Sequence, residues 1–234
     1  MLDQSIKLIT PELIEKSHTY QAYREMIDEL LAENKTTGSI HTEAYLDYTR
    51  MNVKRMNRWD KTAKVSLELE KVIKSFDTPQ IWLIITEAWC GDAAQSIPFL
   101  VKLADLNPKI ELRLILRDEN LELMDEYLTE GARSIPKLIV LSKDLAQVMG
   151  TWGPRPKFLQ DRLKAYKLDA LGVSPKEFSE GTHLWYAKDK NESLEGESME
   201  FLCQFLFYEN RYSNWNIWTG RHAVTASIIT KSSI

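Results

Sequence analysis

One stretch, residues 80–98, most constrains what this chain can fold into. An apolar run of high β-propensity, residues 81–86, is followed by a Trp-Cys-Gly-Asp turn and then at once by helix-forming residues. This order predicts a buried strand whose end leads directly into a helix, with Cys90 at the helix N-terminus. Because the free amides and the dipole of a helix N-terminus favour an anion, we expect a stabilised thiolate there. Cys90 is therefore a candidate nucleophile, in a partly exposed setting with a lowered pKa.

Three features, in order and at matching spacing, resemble the thioredoxin superfamily. The Trp-Cys-Gly sequence at residues 89–91 is similar to the start of the Trp-Cys-Gly-Pro-Cys active-site turn of that family. Pro98 corresponds to the proline that kinks the active-site helix. Residues 134–136, Ser-Ile-Pro, resemble the loop whose proline is cis and faces the cysteine. The match extends over residues 60–168.

A longer part of the sequence resembles a narrower group. Residues 89–95, Trp-Cys-Gly-Asp-Ala-Ala-Gln, and residues 152–156, Trp-Gly-Pro-Arg-Pro, look like those of a bacterial subgroup of thioredoxin-family proteins with little defined biochemistry.

The resemblance implies an α/β fold of the thioredoxin type, a central mixed sheet flanked by helices. Residues 60–168 are expected to form this domain. Residues 1–59 are expected to be an N-terminal helical extension, and residues 169–234 a C-terminal helical extension with an aromatic-rich tail.

Three positions depart from the family pattern. Ala93 stands where the family has its second, resolving cysteine, and Asp92 replaces the proline of the motif. The buried acid that thioredoxin carries before its first cysteine is here Ile84. Dithiol–disulfide cycling within the motif is therefore not possible.

The site that the resemblance implies has Cys90 as its catalytic residue. Asp92 disfavours a second negative charge nearby. Its own role is either to complement the helix dipole as an acid in the first turn or to act in general acid–base chemistry, and the first is favoured. Arg133 either offsets the charge of Asp92 or is a solvated surface cation. The residues expected to contact the substrate are Trp89, Gly91, Asp92, Ile135 and Pro136.

A single cysteine leaves three functions open. Cys90 could form a mixed disulfide that an external thiol resolves, which would make the protein a monothiol thiol–disulfide oxidoreductase. Cys90 could instead be oxidised by peroxide and act as a sensor. The fold could also serve as a redox-inactive peptide- or protein-binding module. The expected partner is a protein thiol or disulfide, or a small thiol, and no cofactor is expected.

Composition excludes other classes of function. A formal net charge of -4 gives no support for a nucleic-acid surface. The longest apolar runs are too short to span a bilayer, and the N-terminus lacks the features of a secretory signal. Two cysteines, Cys90 and Cys203, make no disulfide framework, which favours a reducing cytoplasm. The four histidines lack metal-ligand spacing, so no metal site is expected.

Periodicity and turn residues also predict the elements. A helix at 155–167 closes the domain, and Ser174 and Pro175 open a further one. The remaining helices are expected at 11–34, at 41–76 in two pieces that meet near 57–60, at 91–106 and at 120–129, where Gly131 is a candidate C-cap. The strands are expected at 81–86, 110–116, 137–141 and 146–152.

Overall fold

The structure is a computed structural model that describes residues 4–169 and 172–213, with side chains for residues 6–169 and 172–206. Four strands form one sheet: β1 (Gln80–Thr86), β2 (Ile110–Leu116), β3 (Lys137–Ser142) and β4 (Val148–Trp152). The helices of the described residues are α1 (Pro11–Lys16), α2 (Tyr20–Ala32), α3 (Glu43–Thr62), α4 (Leu67–Lys74), α5 (Gly91–Ala104), α6 (Leu121–Glu126), α7 (Lys157–Asp169), α8 (Pro175–Asp189) and α9 (Glu192–Ser213). Short 3₁₀ turns lie at Gln4–Leu8 and Arg117–Glu119.

The sheet is mixed and has the strand order β2-β1-β3-β4. β1 pairs in parallel with β2 and antiparallel with β3, which in turn pairs antiparallel with β4. All seven residues of β1 are buried, as expected for a central strand covered on both faces. The predicted α/β class, with a mixed sheet flanked by helices, is confirmed.

The side chains of helix α5 are buried along nearly its whole length, because the helix packs against α3 and also contacts β2 and α4. The indole nitrogen of Trp59 on α3 donates a 2.6 Å hydrogen bond to Gln95 of α5. Asn52, two turns before Trp59 on the same side of α3, donates to the carbonyl oxygen of Ala88 at 2.8 Å. These two bonds fix α3 across the turn that carries Cys90.

The predicted helix 11–34 is interrupted between α1 and α2. The backbone of His18 pairs with Leu114 of β2 through two hydrogen bonds of 2.8 and 2.9 Å. Thr19 then caps α2 by accepting a bond from the amide of Ala22. This bridge gives hydrogen-bond partners to the amide and the carbonyl of Leu114 at the edge of β2, which would otherwise be unpaired.

The predicted break near 57–60 is wrong. α3 continues to Thr62 because Met56 and Trp59 lie on its buried face. The break follows α3 instead, and Ser66 caps α4 through the amide of Leu69.

The predicted helix 120–129 is shorter than expected, since α6 ends at Glu126. Gly131, with φ +76°, belongs to the turn closed by Thr129 and Ala132 rather than to a helix C-cap.

Helix α8 begins where the sequence predicted, with a Ser174–Glu177 capping box at its start. α9 packs back on the domain. Its Glu197 accepts hydrogen bonds from the indole of Trp152 at 2.8 Å and from the amide of Lys157 at 2.6 Å.

The part of the predicted aromatic-rich tail at residues 214–234 lies outside the described residues. None of the helices that the structure describes has the length and apolar character needed to cross a membrane.

Gly153 gives a first prediction about stability. Its φ is +114°, and a Cβ there would lie 2.2 Å from the carbonyl oxygen of Pro136. Gly131 also has positive φ, at +76°, but a Cβ there would meet nothing within 4 Å. We expect Gly153→Ala to lower the free energy of unfolding by about 3 kcal/mol or more, because backbone clash adds to backbone strain. Gly131→Ala, the control, should cost about 1 kcal/mol. Urea unfolding with equal losses in the two variants would contradict the close approach at Gly153.

Candidate active site

Cys90 follows β1 and is the N-cap residue of α5. Its Sγ lies 3.2 Å from the carbonyl oxygen of Ile135, to which it donates a hydrogen bond. The peptide bond between Ile135 and Pro136 is cis. The turn and the proline loop, 45 residues apart in sequence, thus meet at the sulfur.

The thiol is nonetheless buried, with only 8% of Cys90 exposed. Burial is the largest cause that raises the pKa of Cys90 from the ordinary 9.0 to about 12, and the negative charge of Asp92 adds to it. The amides of Ala93 and Asp92 and the cation of Arg155 act in the opposite direction but are outweighed. The expectation of a partly exposed thiol with a lowered pKa is therefore wrong. At neutral pH the described structure holds a protonated thiol.

Asp92 lies in a largely buried ion pair beside Cys90. One oxygen is 2.8 Å from the guanidinium of Arg155, and the other accepts a 2.8 Å hydrogen bond from the hydroxyl of Tyr186 on α8. Burial raises the pKa of Asp92, whereas Arg155 and Tyr186 lower it. Sequence reasoning identified neither partner, since Tyr186 is 94 residues away and nothing local marks it.

Arg133, the cation that the sequence suggested, does not balance this charge. It forms a two-pronged pair with Asp125, at 2.6 and 2.7 Å, on the surface. Of the two interpretations left open, the surface interpretation is therefore correct.

Gly91 is covered by side chains of α8 and α3. A Cβ at Gly91 would lie 2.6 Å from Cε1 of His183 and 3.4 Å from a guanidinium nitrogen of Arg55. Burial is the main cause that lowers the pKa of His183 to about 4, and Arg55 and Arg155 contribute. The imidazole is therefore neutral at physiological pH. Glycine at this position is what lets the two helices close over the turn.

Trp89 is held between two side chains. The ring of Tyr45 meets it edge-on, with centroids 5.3 Å apart, and the guanidinium of Arg117 lies 4.8 Å from its centroid. The indole is half-buried. Of the residues predicted to contact a substrate, Ile135 and Pro136 are buried as well, so the predicted groove is closed in this structure.

The turn that carries Cys90 contacts a buried acid, Glu87, whereas the thioredoxin pattern places its buried acid at the position of Ile84. Glu87 is 1% exposed, and its carboxylate accepts a 2.9 Å bond from the amide of Asp118. Its backbone oxygen accepts from the amide of Cys90 at 3.1 Å. Burial raises the pKa of Glu87. These two bonds hold the backbone of the turn that carries Cys90.

No metal site accompanies the thiol within the described ranges: they contain no group of three or more His, Cys, Asp or Glu side chains that could hold a metal ion.

Comparison with known proteins agrees with this geometry. The family model described as thioredoxin matches residues 38–167, more than half of the chain. The chain belongs to the thioredoxin family. None of the proteins with curated annotation matches it significantly.

Two solved structures have a similar fold to this thioredoxin-family chain. One is a protein of unknown function, PA1234, from Pseudomonas aeruginosa, with 17% identity, a TM-score of 0.53 and coverage of 82% of this chain and 95% of the other. The second is an HIV epitope-scaffold carrying the name 4E10, with 16% identity, a TM-score of 0.51 and the same two coverages. Identities this low support the fold alone.

The raised pKa of Cys90 predicts a dependence of stability on pH. The folded pKa, about 12, lies above the ordinary 9.0, so the stabilisation is complete below pH 9 and is lost as the pH rises toward 12. In a Cys203→Ser background, we expect the free energy of unfolding to fall by about 0.8 kcal/mol between pH 7.5 and 9.5. Cys90→Ala should remove this part of the slope. Parallel urea titrations with identical slopes would show that the thiol does not titrate differently on folding.

Asp92 gives a prediction about the thiol itself. Because its charge raises the pKa of Cys90 and its carboxylate accepts the hydrogen bond of Tyr186, Asp92→Asn should lower that pKa and raise the rate of iodoacetamide alkylation of Cys90 about tenfold or more. Asp125→Asn is the matched control, since it removes an acid paired with Arg133 on the surface. Equal rates in the two variants would mean that the charge of Asp92 does not reach the sulfur.

Proposed function

We propose that this thioredoxin-family protein carries out thiol–disulfide exchange through Cys90 alone, from a state in which the site is opened. The observation that carries the proposal is the position of Sγ, at the N-terminus of α5 and 3.2 Å from the Ile135 carbonyl of the proline loop. Ala93, in place of a resolving cysteine, limits the chemistry to one protein thiol.

The exchange has two balanced steps. The Cys90 thiolate attacks one sulfur of a disulfide, a new sulfur–sulfur bond forms, and the other half leaves as a thiolate. A second, external thiolate then attacks the mixed disulfide, releases the Cys90 thiolate and forms a new disulfide with the group that was bound. The partner we propose is a protein disulfide or a small disulfide, with a small thiol as the resolving reagent.

The resting state would be slow in this reaction, since only the thiolate is the nucleophile. Opening removes the burial that is the main cause of the raised pKa, whereas the first-turn amides of α5 stay in place. A minor opened state is therefore the reactive species. Two unpaired cysteines support a reducing compartment, and we propose the bacterial cytoplasm.

A second candidate is a redox-inactive protein that keeps the fold for binding. The burial of Cys90 and its pKa of about 12 favour this candidate, as does the ion pair that places Asp92 beside the sulfur. Peroxide sensing has less support, because a sensor thiol is normally exposed and ionised.

Reaction with a small disulfide distinguishes the candidates. The Cys203→Ser protein is incubated with oxidised glutathione, and adducts are followed by mass spectrometry. We expect one adduct, on Cys90, that accumulates until an external thiol is added. Its rate of formation should reach a plateau as the disulfide concentration rises, because opening becomes limiting.

Ala93→Cys in the same background is the matched variant. Its second thiol can displace the glutathione, so the adduct should be transient. If the folded protein forms no adduct while the urea-unfolded chain reacts readily, the redox-inactive candidate is correct.

A further inference from the structure

We propose that helix α8 is the cover of the site: its displacement, with the rest of the domain intact, is what exposes Cys90. This inference rests on the proposed function and gives that function its regulation.

α8 closes the site with two side chains one turn apart. Tyr186 donates its hydroxyl hydrogen to Asp92 at 2.8 Å. His183 lies over Gly91, and its Nδ1 is 3.4 Å from the side-chain amide of Gln95. Both contacts are made to the first turns of α5, which carries Cys90 at its N-cap.

Helix α8 buries few of its side chains against the rest of the domain. Of the fifteen residues of α8, those buried are Phe178, Thr182 and Tyr186. Leu184 on the same helix is exposed. A helix with little buried apolar surface can open at a lower free energy than the core does.

Two of the aromatic contacts of α8 are made to α7 and not to the site. The ring of Phe178 stacks on Tyr166 with centroids 4.1 Å apart, and Trp185 stacks on Phe158 at 5.3 Å. Tyr186 and His183 are therefore the side chains of α8 for which contacts with the turn are observed. Their loss would uncover the turn without touching the sheet.

The backbone on either side of α8 suits such a movement. Gly172 precedes it with φ +67°, and Lys190 and Asn191 follow it with φ of 52° and 69°. Two successive non-glycine residues with positive φ make the joint to α9 a strained one. α9 is anchored independently through Glu197, which bonds to Trp152 and to the Lys157 amide. α8 can thus leave while α9 stays.

The test removes the hydroxyl group of Tyr186 from α8. In the Cys203→Ser background, Tyr186→Phe keeps the ring but loses the hydrogen bond to Asp92. We expect iodoacetamide to label Cys90 about tenfold faster or more, the effect of losing a hydrogen bond to a charged group. Hydrogen exchange of the amides of residues 176–189 should accelerate as well, whereas that of β1 should not change.

The chain offers a matched control in Tyr20. Its hydroxyl donates a 2.8 Å bond to Asp60, which is paired with Arg24, so the chemistry repeats that of Tyr186, Asp92 and Arg155. Tyr20→Phe should leave both the labelling of Cys90 and the exchange of α8 unchanged. Equal acceleration in the two variants would overturn the proposal, because it would indicate general destabilisation.

Hydrogen exchange separates the cover from a change in charge. Faster labelling with unchanged exchange in α8 would mean that Tyr186 acts on the thiol through Asp92, and would overturn the proposal. The readouts are also independent of turnover. Faster labelling and faster exchange support the cover even if no glutathione adduct forms, in which case only the proposed function fails. If the parent protein forms the glutathione adduct but Tyr186→Phe changes neither the labelling of Cys90 nor the exchange of α8, the proposed function is supported and the role of α8 as a cover is wrong.

Discussion

The largely buried ion pair between Asp92 and Arg155 is the interaction on which the arrangement around Cys90 depends. A carboxylate in the first turn of α5 is stabilised there because a guanidinium, the Tyr186 hydroxyl and a helix N-terminus face it. Removing one partner would leave an uncompensated and largely buried charge, which costs up to about 3–5 kcal/mol. The pair ties the segment before α7 to α5 and gives Tyr186 its acceptor. The docking of α8 follows from it.

Magnitudes explain why the thiol is protonated despite its place at a helix N-terminus. The dipole and the free amides contribute about 0.3–1 kcal/mol to stabilising an anion. The rise of the Cys90 pKa from 9.0 to about 12 corresponds to about 4 kcal/mol in favour of the thiol. Burial therefore outweighs the helix terminus, and the Ile135 carbonyl accepts a hydrogen bond from the protonated thiol. If α8 were displaced, Cys90 would lose the effect of burial, which raises its pKa, and would keep the effect of the helix N-terminus, which lowers it.

The sequence predicted what depends on local pattern. β2 has the predicted bounds, and the turn around Cys90 and the loop at Pro136 lie together as the resemblance implied. It could not predict what depends on distant partners. The break before α2 exists because His18 pairs with Leu114, and the hydrogen bond of Tyr186 to Asp92 beside Cys90 joins residues 94 positions apart. No periodicity or motif marks either contact.

A cover also fits the chemistry of a lone cysteine. A thiolate with no neighbouring thiol cannot resolve its own mixed disulfide, so permanent exposure would leave it blocked by whichever disulfide it met first. A site open about 1% of the time reacts about a hundredfold more slowly with every disulfide that does not itself favour the open state. A partner that binds the opened form escapes this penalty in proportion to its preference for that form. Selectivity can then come from what displaces α8, and the groove beside Ile135 need not supply all of it.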